Sequence, residues 1–328
     1  MRICLLGEFK GKLDEGMRKT SFNILNLLKE KHEVLSLDLR EIFKRDFWSA
    51  VKSFEPDLIH YLHGSSFRSF LVLRMIFKMT HSSKSVMSIM RLMPNSILRF
   101  AFLLDLKPDL LLVPSKNLCE YLKKIKIRAE FFPLGGVDLE KFRPVSETEK
   151  ESLREKYGIE KERFVILHVG PVKRGRNVLV LKELQGDNNQ VVVVGSTSTK
   201  ADQDVLRELQ RAGCKVWRSY FEKIEEIYAM ADCYVFPTKS YRDAVQLPLS
   251  VLEAMACNLP VITTKFGSLP HLFSEGDGLI YAETEDEFVK AARIVREIEA
   301  DTRSRVEKFG WKEVVRRLEN IYSNLKEI

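Results

Sequence analysis

Cysteine is sparse in this chain: 328 residues hold five, at Cys4, Cys119, Cys214, Cys233 and Cys257. They are scattered, odd in number and form no C-x-x-C pair, which argues against a disulfide framework or a zinc site and fits a reducing cytoplasm. No run approaches the ~18 uncharged apolar residues that a membrane span requires. The opening MRICLLGEF reaches a glycine and charges after a few apolar residues. It reads as a first buried strand and lacks the apolar stretch of a secretory leader. No G-x-G-x-x-G follows any candidate strand, which makes a dehydrogenase the least favoured class. Repeats and low-complexity tracts are absent as well. Large apolar residues, by contrast, are plentiful: hydrophobic residues make up 45% and charged residues 30%, so extended disorder is excluded.

What is present points to two domains of ~150 residues each. Charge divides unevenly between them. Residues 1–145 carry 25 Lys+Arg against 16 Asp+Glu, whereas the remainder carries 28 against 30. The positive excess lies wholly in the first half and predicts an anionic partner for that half. Leu58–Leu104 holds Arg68, Arg74, Lys78, Lys84, Arg91 and Arg99 with no acidic residue, interleaved with Phe67, Phe70, Leu71, Leu73, Met75, Ile76, Phe77 and Met79. A basic amphipathic helix over residues 67–99 suits an anionic membrane surface or a lipid-linked acceptor. A covering helix with its basic side chains on the wet face explains the same composition. Nucleic acid is disfavoured by the acidic second half and by the lack of a basic–aromatic stacking platform.

Short apolar runs alternate with helical patterns along the whole chain, the signature of parallel sheets covered on both faces. The first series of strands is Arg2–Leu6, Glu33–Leu37, Leu58–Tyr61, Ser85–Ile89, Leu110–Val113 and Ala129–Phe132, with a helix at Met17–Lys31 after the first. A Gly-, Pro- and charge-rich pause at Pro133–Glu149 precedes a helix at Glu149–Tyr157. The second series is Phe164–Val169, Gln190–Val194, Lys215–Arg218, Cys233–Phe236, Pro260–Thr263 and Gly278–Tyr281. This predicts an α/β domain at 1–145, a second α/β domain at 146–310 and an amphipathic helix at 311–328.

The stretch ADCYVFPTKSYRDAVQLPLSVLEAMACNLPVITTKFGSLP, residues 231–270, is the richest in chemistry. A buried strand ends at Pro237, a polar loop follows, and Pro248 opens a helix to Ala256. Loops at the carboxyl ends of parallel strands hold ligands in open α/β sheets, and a helix starting there aims its N–H groups at an anion. Glu253 lies in that helix among Leu252, Ala254, Met255 and Ala256, where a carboxylate wants a hydroxyl or cation partner.

Within that stretch, PLSVLEAMACNLPVITTKFGSLP resembles the donor-site signature of the retaining GT-B glycosyltransferases of family 4, group 1. EFFPLGGVDLEKFRP (130–144) resembles their linker segment, and FVILHVGPVKRGRNVLVLKEL (164–184) their strand, basic loop and helix. PDLIHYLHG (56–64), DLLLVPSKNLCEYL (109–122) and EEIYAMADCYVFPT (225–238) match further segments in order. The resemblance implies a GT-B fold: two Rossmann-like domains facing a cleft, with the C-terminal helix crossing back to the N-domain. It further implies sugar transfer from a nucleoside diphosphate sugar to a glycan, lipid-linked or small-molecule acceptor with retention of configuration. No metal or other cofactor is implied; the scattered cysteines fit a cytoplasmic location, and the basic stretch leaves peripheral attachment at the inner membrane face open beside the covering-helix reading.

Carried over residue by residue, Glu253 is the second glutamate of the family's E-x7-E motif and is expected to bind the donor ribose. Leu249 and Ser250 open the same helix. Lys173 and Arg174, in the loop after Gly170, are expected to grip the diphosphate and stabilise it as it leaves. Gly16 corresponds to the glycine loop that approaches the phosphates from the first domain. His60 and His63, at the end of the PDLIHYLHG strand, are expected to face the crevice and contact donor or acceptor. The family's histidine after the fourth strand falls at Met90 or Arg91. The first glutamate of the motif is Val245, with Asp243 two residues earlier as a substitute. The family's arginine after the glycine is Pro171, and its Gly-Gly-x-P-E run becomes Gly267-Ser268-Leu269-Pro270-His271. These departures leave an alternative reading, a catalytically inactive GT-B partner that binds nucleotide or glycan.

Overall fold

The computed structural model describes every residue except His81, Ser82, Asp187, Glu327 and Ile328. The chain divides into two compact units. The first comprises Met1–Gly135, Val245–Leu247 and Trp311–Ile328, and the second Gly136–Ala244 and Pro248–Gly310.

In the first unit, β1 (Arg2–Gly7), β2 (Glu33–Asp38), β3 (Leu58–Tyr61), β4 (Lys84–Ser88), β5 (Leu110–Val113) and β6 (Ala129–Phe131) lie in the order β2-β1-β3-β4-β5-β6, every pair parallel. Parallel neighbours need crossover connections, and helices Gly16–Lys29, Arg45–Phe54, Phe67–Met79, Asn95–Leu103 and Lys116–Lys124 supply them. The central strands β3 (LIHY) and β5 (LLLV) are buried at every position, which is why they read as apolar runs without alternation.

The second unit repeats the plan with β7 (Phe164–Val169), β8 (Asn189–Val194), β9 (Lys215–Trp217), β10 (Cys233–Phe236), β11 (Val261–Thr263) and β12 (Leu279–Tyr281), in the order β12-β11-β10-β7-β8-β9. Each sheet has one point where the chain turns from building outward on one side to building on the other. That switch lies between β1 and β3 in the first unit and between β7 and β10 in the second. Crevices at such points, beyond the strands' carboxyl ends, are where this architecture binds ligands.

The first unit ends ten residues before the expected boundary at residue 145, because the connecting segment folds with the second. Val137 donates its N–H to the Phe309 carbonyl at 2.9 Å. Arg303 donates to the carbonyls of Leu139 and Phe142, each at 2.9 Å. The terminal helix, Trp311–Lys326, was expected to run to Ile328, and its last two positions lie outside the described residues. It belongs to the first unit, where Glu319 takes Lys31 at 3.2 Å and His32 at 3.0 Å, and Lys326 pairs with Asp57 at 3.0 Å.

His60 corrects one expectation. It does not face the crevice: its ring is wholly enclosed, with Nδ1 2.5 Å from the Tyr322 hydroxyl and Nε2 2.8 Å from the Ser88 hydroxyl. Both nitrogens are used in tying the terminal helix to the centre of the first sheet, so neither is left for substrate. The basic stretch also differs from the single helix expected over residues 67–99. It forms two helices, Phe67–Met79 and Asn95–Leu103, separated by the interior strand β4.

Candidate functional site

In the second unit, β10 ends in the loop leading to helix Leu249–Ala256, which starts without a side-chain cap. The Val251 N–H turns back to the Pro248 carbonyl at 3.2 Å, and no side chain competes with an anion for the helix start. The helix is apolar almost throughout, so it sinks into the core and carries Glu253 with it; that residue is only 5% exposed. The Glu253 Oε2 accepts a hydrogen bond from the Tyr228 hydroxyl at 2.9 Å. Burial, reinforced by the Glu253 charge, pushes the Tyr228 phenol well up, so it stays a donor. Phe142 packs edge-on against Tyr228, ring centroids 5.5 Å apart. The connecting segment thus buttresses the carboxylate through one aromatic side chain. Tyr228 has no motif of its own in the sequence; only the EEIYAMADCYVF resemblance covered it.

At the switch point, Gly170 follows β7. A Cβ at Gly170 would stand 3.3 Å from His168 Nε2 and 3.6 Å from Arg176 Nη1. His168 is fully buried, and its Nδ1 lies 2.8 Å from the Val235 carbonyl. A carbonyl can only accept, so Nδ1 carries the proton. Burial above all, with the Arg176 charge adding to it, lowers this imidazole to about 4. The ring is thus neutral, and its Nε2 is a buried acceptor with no hydrogen-bond partner among the described residues. Thr238, just beyond β10, is likewise buried with an unpartnered hydroxyl. Two such atoms among the described residues, one near the end of β7 and one just beyond the adjacent β10, where buried polar groups are ordinarily satisfied, mark this as a place built around something polar. Ser250, half-buried in the second position of the helix, hydrogen-bonds the Tyr234 phenol. Leu249 is core.

The basic loop carries its own ion pairs. Lys173 Nζ pairs with Asp202 at 3.3 Å, the Arg174 N–H donates to Asp202 at 3.0 Å, and the Arg174 guanidinium pairs with Asp204. Both side chains turn toward the start of helix Gln203–Arg211. Arg176 is the cation that the loop brings to Gly170, after a tight turn at Arg174–Arg176 closed by Asn177 with φ 55°. Asp243 leans on the same turn: a Cβ at Gly175 would lie 2.7 Å from its carboxylate, so only glycine leaves room there.

In the first unit, Val245 approaches Gly16, the first residue of helix Gly16–Lys29, with a methyl 3.4 Å from where a Cβ would stand. Gln246 donates its N–H to the Met90 carbonyl at 2.9 Å. The position of the missing motif glutamate is thus an apolar contact inside this unit. His63, which follows β3, does lie at the switch point. Its Nε2 is 2.8 Å from Oε1 of Glu8, which follows β1, and Arg18 holds the other carboxylate oxygen at 3.2 Å. The hydrogen bond from His63, opposed by burial and aided by Arg18, holds the Glu8 carboxyl below its ordinary range. Arg91 is half-buried, with Nε unpartnered among the described residues, and its Cδ lies 4.0 Å from a Cβ position on Gly64. Glu8 and Arg18 escaped sequence reasoning, since a lone Glu after a strand carries no pattern. Among the described residues no cluster of three or more His, Cys, Asp or Glu could hold a metal.

His60 and His168 give the fold an acid sensitivity. Burial lowers His60 to about 3, whereas an unfolded histidine takes a proton near pH 6.5, roughly. Between those values the unfolded chain binds more protons, so stability is complete above the unfolded pKa and falls as pH drops below it. By pH 5 each ring contributes roughly 2 kcal/mol less than at neutrality. The melting temperature should therefore fall steeply between pH 7 and pH 5, and His60→Gln should melt lower but with a shallower slope. A flat wild-type profile would contradict the buried neutral assignment.

Comparison with known proteins follows the same lines. The model for glycosyl transferases group 1 matches residues 149–312, half of the chain. Sulfoquinovosyl transferase SQD2 of Arabidopsis thaliana is 26% identical over 308 residues, covering 83% of this chain and 57% of that protein. The chain spans about half the length of the curated relatives it matches. Among solved structures, Anabaena HepE in complex with UDP and glucose superposes with a TM-score of 0.76 at 16% identity, over 99% of this chain and 100% of that one. Sucrose-phosphate synthase from Thermosynechococcus elongatus gives 0.76 at 16% identity over 99% of each. At such identities these two likenesses establish the fold, GT-B, and the matched model establishes kinship: the chain belongs to the glycosyl transferases group 1 family.

Proposed function

We propose that the second unit binds a nucleoside diphosphate sugar and that the protein transfers the sugar, with retention of configuration, to a hydroxyl of an acceptor recognised by the first unit. The observation that carries this reading is Glu253, a carboxylate 5% exposed in an apolar helix beside a sheet switch point. A buried carboxylate with Tyr228 on one oxygen suits a pair of vicinal hydroxyls, as on a ribose. HepE, with the same fold, was crystallised with UDP and glucose, which supports placing a nucleotide at this point.

Arg176, Gly170 and the start of helix Leu249–Ala256 form the diphosphate end of the site in this reading. Their positive charge and N–H groups stabilise the leaving diphosphate, where most negative charge develops. A leaving phosphate oxygen then takes the acceptor proton, so the protein supplies positioning and electrostatics and no nucleophile. On the acceptor side, His63 held by Glu8 is the contact residue. Incubation with UDP-, GDP- and ADP-sugars without acceptor tests the reading, because a competent site releases nucleoside diphosphate slowly to water. Tight nucleotide binding with no release would favour the inactive-partner alternative.

A further inference from the structure

We propose that the outer faces of helices Phe67–Met79 and Asn95–Leu103 form a docking surface for an anionic lipid bilayer. The argument begins with two-faced helices. In Phe67–Met79 the residues Phe70, Leu73 and Ile76 are buried, while Arg68, Leu71, Met75, Lys78 and Met79 are exposed. A helix covering a sheet in water ordinarily turns charges of both signs outward. This one turns out apolar side chains and positive charge.

The second helix repeats the pattern: Leu98 and Ala101 are buried, and Phe100 stands exposed, as do Leu103 and Leu104 at the helix end. Contact between the Phe67 and Phe100 rings, centroids 5.4 Å apart, joins the two faces. Twelve large apolar side chains are exposed among the described residues, and six of them fall between Leu71 and Leu104. Single exposed apolar residues need no explanation, but a cluster marks an interaction surface.

Charge selects the occupant. No acidic residue occurs from Leu58 to Leu104, and Asp105, the next acid along the chain, is already paired with Arg74 at 2.7 Å. A second copy seated on this face would set Arg68 and Lys78 against like charges, which is costly. An anionic bilayer offers headgroups to the basic residues and hydrocarbon to Leu71, Met75, Met79, Phe100, Leu103 and Leu104. No helix among the described residues is long and apolar enough to cross a membrane, so the face lies on the surface of the bilayer. This inference stands apart from the sugar-transfer reading.

The test is co-sedimentation of the full chain with vesicles of phosphatidylcholine, alone or mixed with phosphatidylglycerol. Binding should require the anionic lipid and weaken with salt. Arg68→Gln and Lys78→Gln should each reduce partitioning roughly fivefold. Leu103→Asp with Met75→Asp should abolish it while leaving the melting temperature unchanged, since these side chains are 83% and 53% exposed. Absence of binding at low salt, or equal binding by the doubly substituted chain, would overturn the proposal. So would a concentration-dependent dimer that Leu103→Asp dissolves without any vesicle binding, which would assign the face to a second copy.

Discussion

Glu253→Gln lowers affinity for the cognate nucleoside diphosphate by about 2–3 kcal/mol, roughly 30- to 150-fold, while the protein stays folded. The size follows from burial. A charged acceptor 5% exposed forms stronger hydrogen bonds than a neutral one, and water offers the ligand's hydroxyls little competition there. The amide retains an oxygen for the Tyr228 hydroxyl, now 2.9 Å from Glu253, so that internal contact survives the substitution. Calorimetric titration of wild type and variant reads the effect, with melting temperature as the folding control. Equal affinities would remove Glu253 from the site. A variant that melts many degrees lower would show instead that the carboxylate serves the core.

Arg176→Gln is the second large effect, and it separates two readings of the basic loop. Three cations stand within four residues, Lys173, Arg174 and Arg176. Half-buried Lys173 pairs with Asp202 and exposed Arg174 with Asp204, and pairs at or near the surface contribute roughly 0–1 kcal/mol wherever they form. Arg176 lies beside Gly170 at the switch point. Its loss should weaken diphosphate binding by about 1.5–3 kcal/mol, roughly tenfold to over a hundredfold, and leave binding of the bare nucleoside nearly unchanged. Arg174→Gln should change either affinity less than about threefold. The reverse ranking would return the diphosphate role to Arg174.

Much of the fold was legible beforehand because parallel strands buried on both faces are short apolar runs. The expected strands Leu58–Tyr61, Leu110–Val113, Phe164–Val169 and Cys233–Phe236 coincide with β3, β5, β7 and β10. The helix bearing Glu253 was legible too, since Pro248 and the apolar run after it delimit the segment. Side-chain destinations were harder. His60 ends a strand in a segment that reads as leading to the crevice, but its partners Tyr322 and Ser88 lie 262 and 28 residues away. Nothing local announces them. The ion pairs of the basic loop were hidden for a similar reason: Asp202 and Asp204, which hold Lys173 and Arg174, lie 28 to 30 residues on. The unit boundary moved from residue 145 to Gly135 because Arg303 secures the connecting segment from more than 160 positions away.

The first unit raises a linked point about Val245. Where the family's motif has a glutamate, this chain places a methyl against Gly16, and Asp243 rests on Gly175. In the proposed reaction, contacts to the donor sugar then fall to other groups. His168 Nε2, near the end of β7, and Thr238 Oγ1, just beyond the adjacent β10, have no partner among the described residues and suit a hydroxylated ligand, one as acceptor and the other as either partner.

The most direct test of the central claim is a thermal-shift series with UDP, GDP and ADP, each compared with its nucleoside and its sugar conjugates. A ligand that binds only the folded chain raises the midpoint in proportion to its affinity. One base should stand out, its diphosphate and sugar conjugates should stabilise more than its nucleoside, and Glu253→Gln should cancel the shift. A chain whose midpoint is moved by none of these ligands at saturating concentration would contradict the claim that it binds a nucleotide-sugar donor.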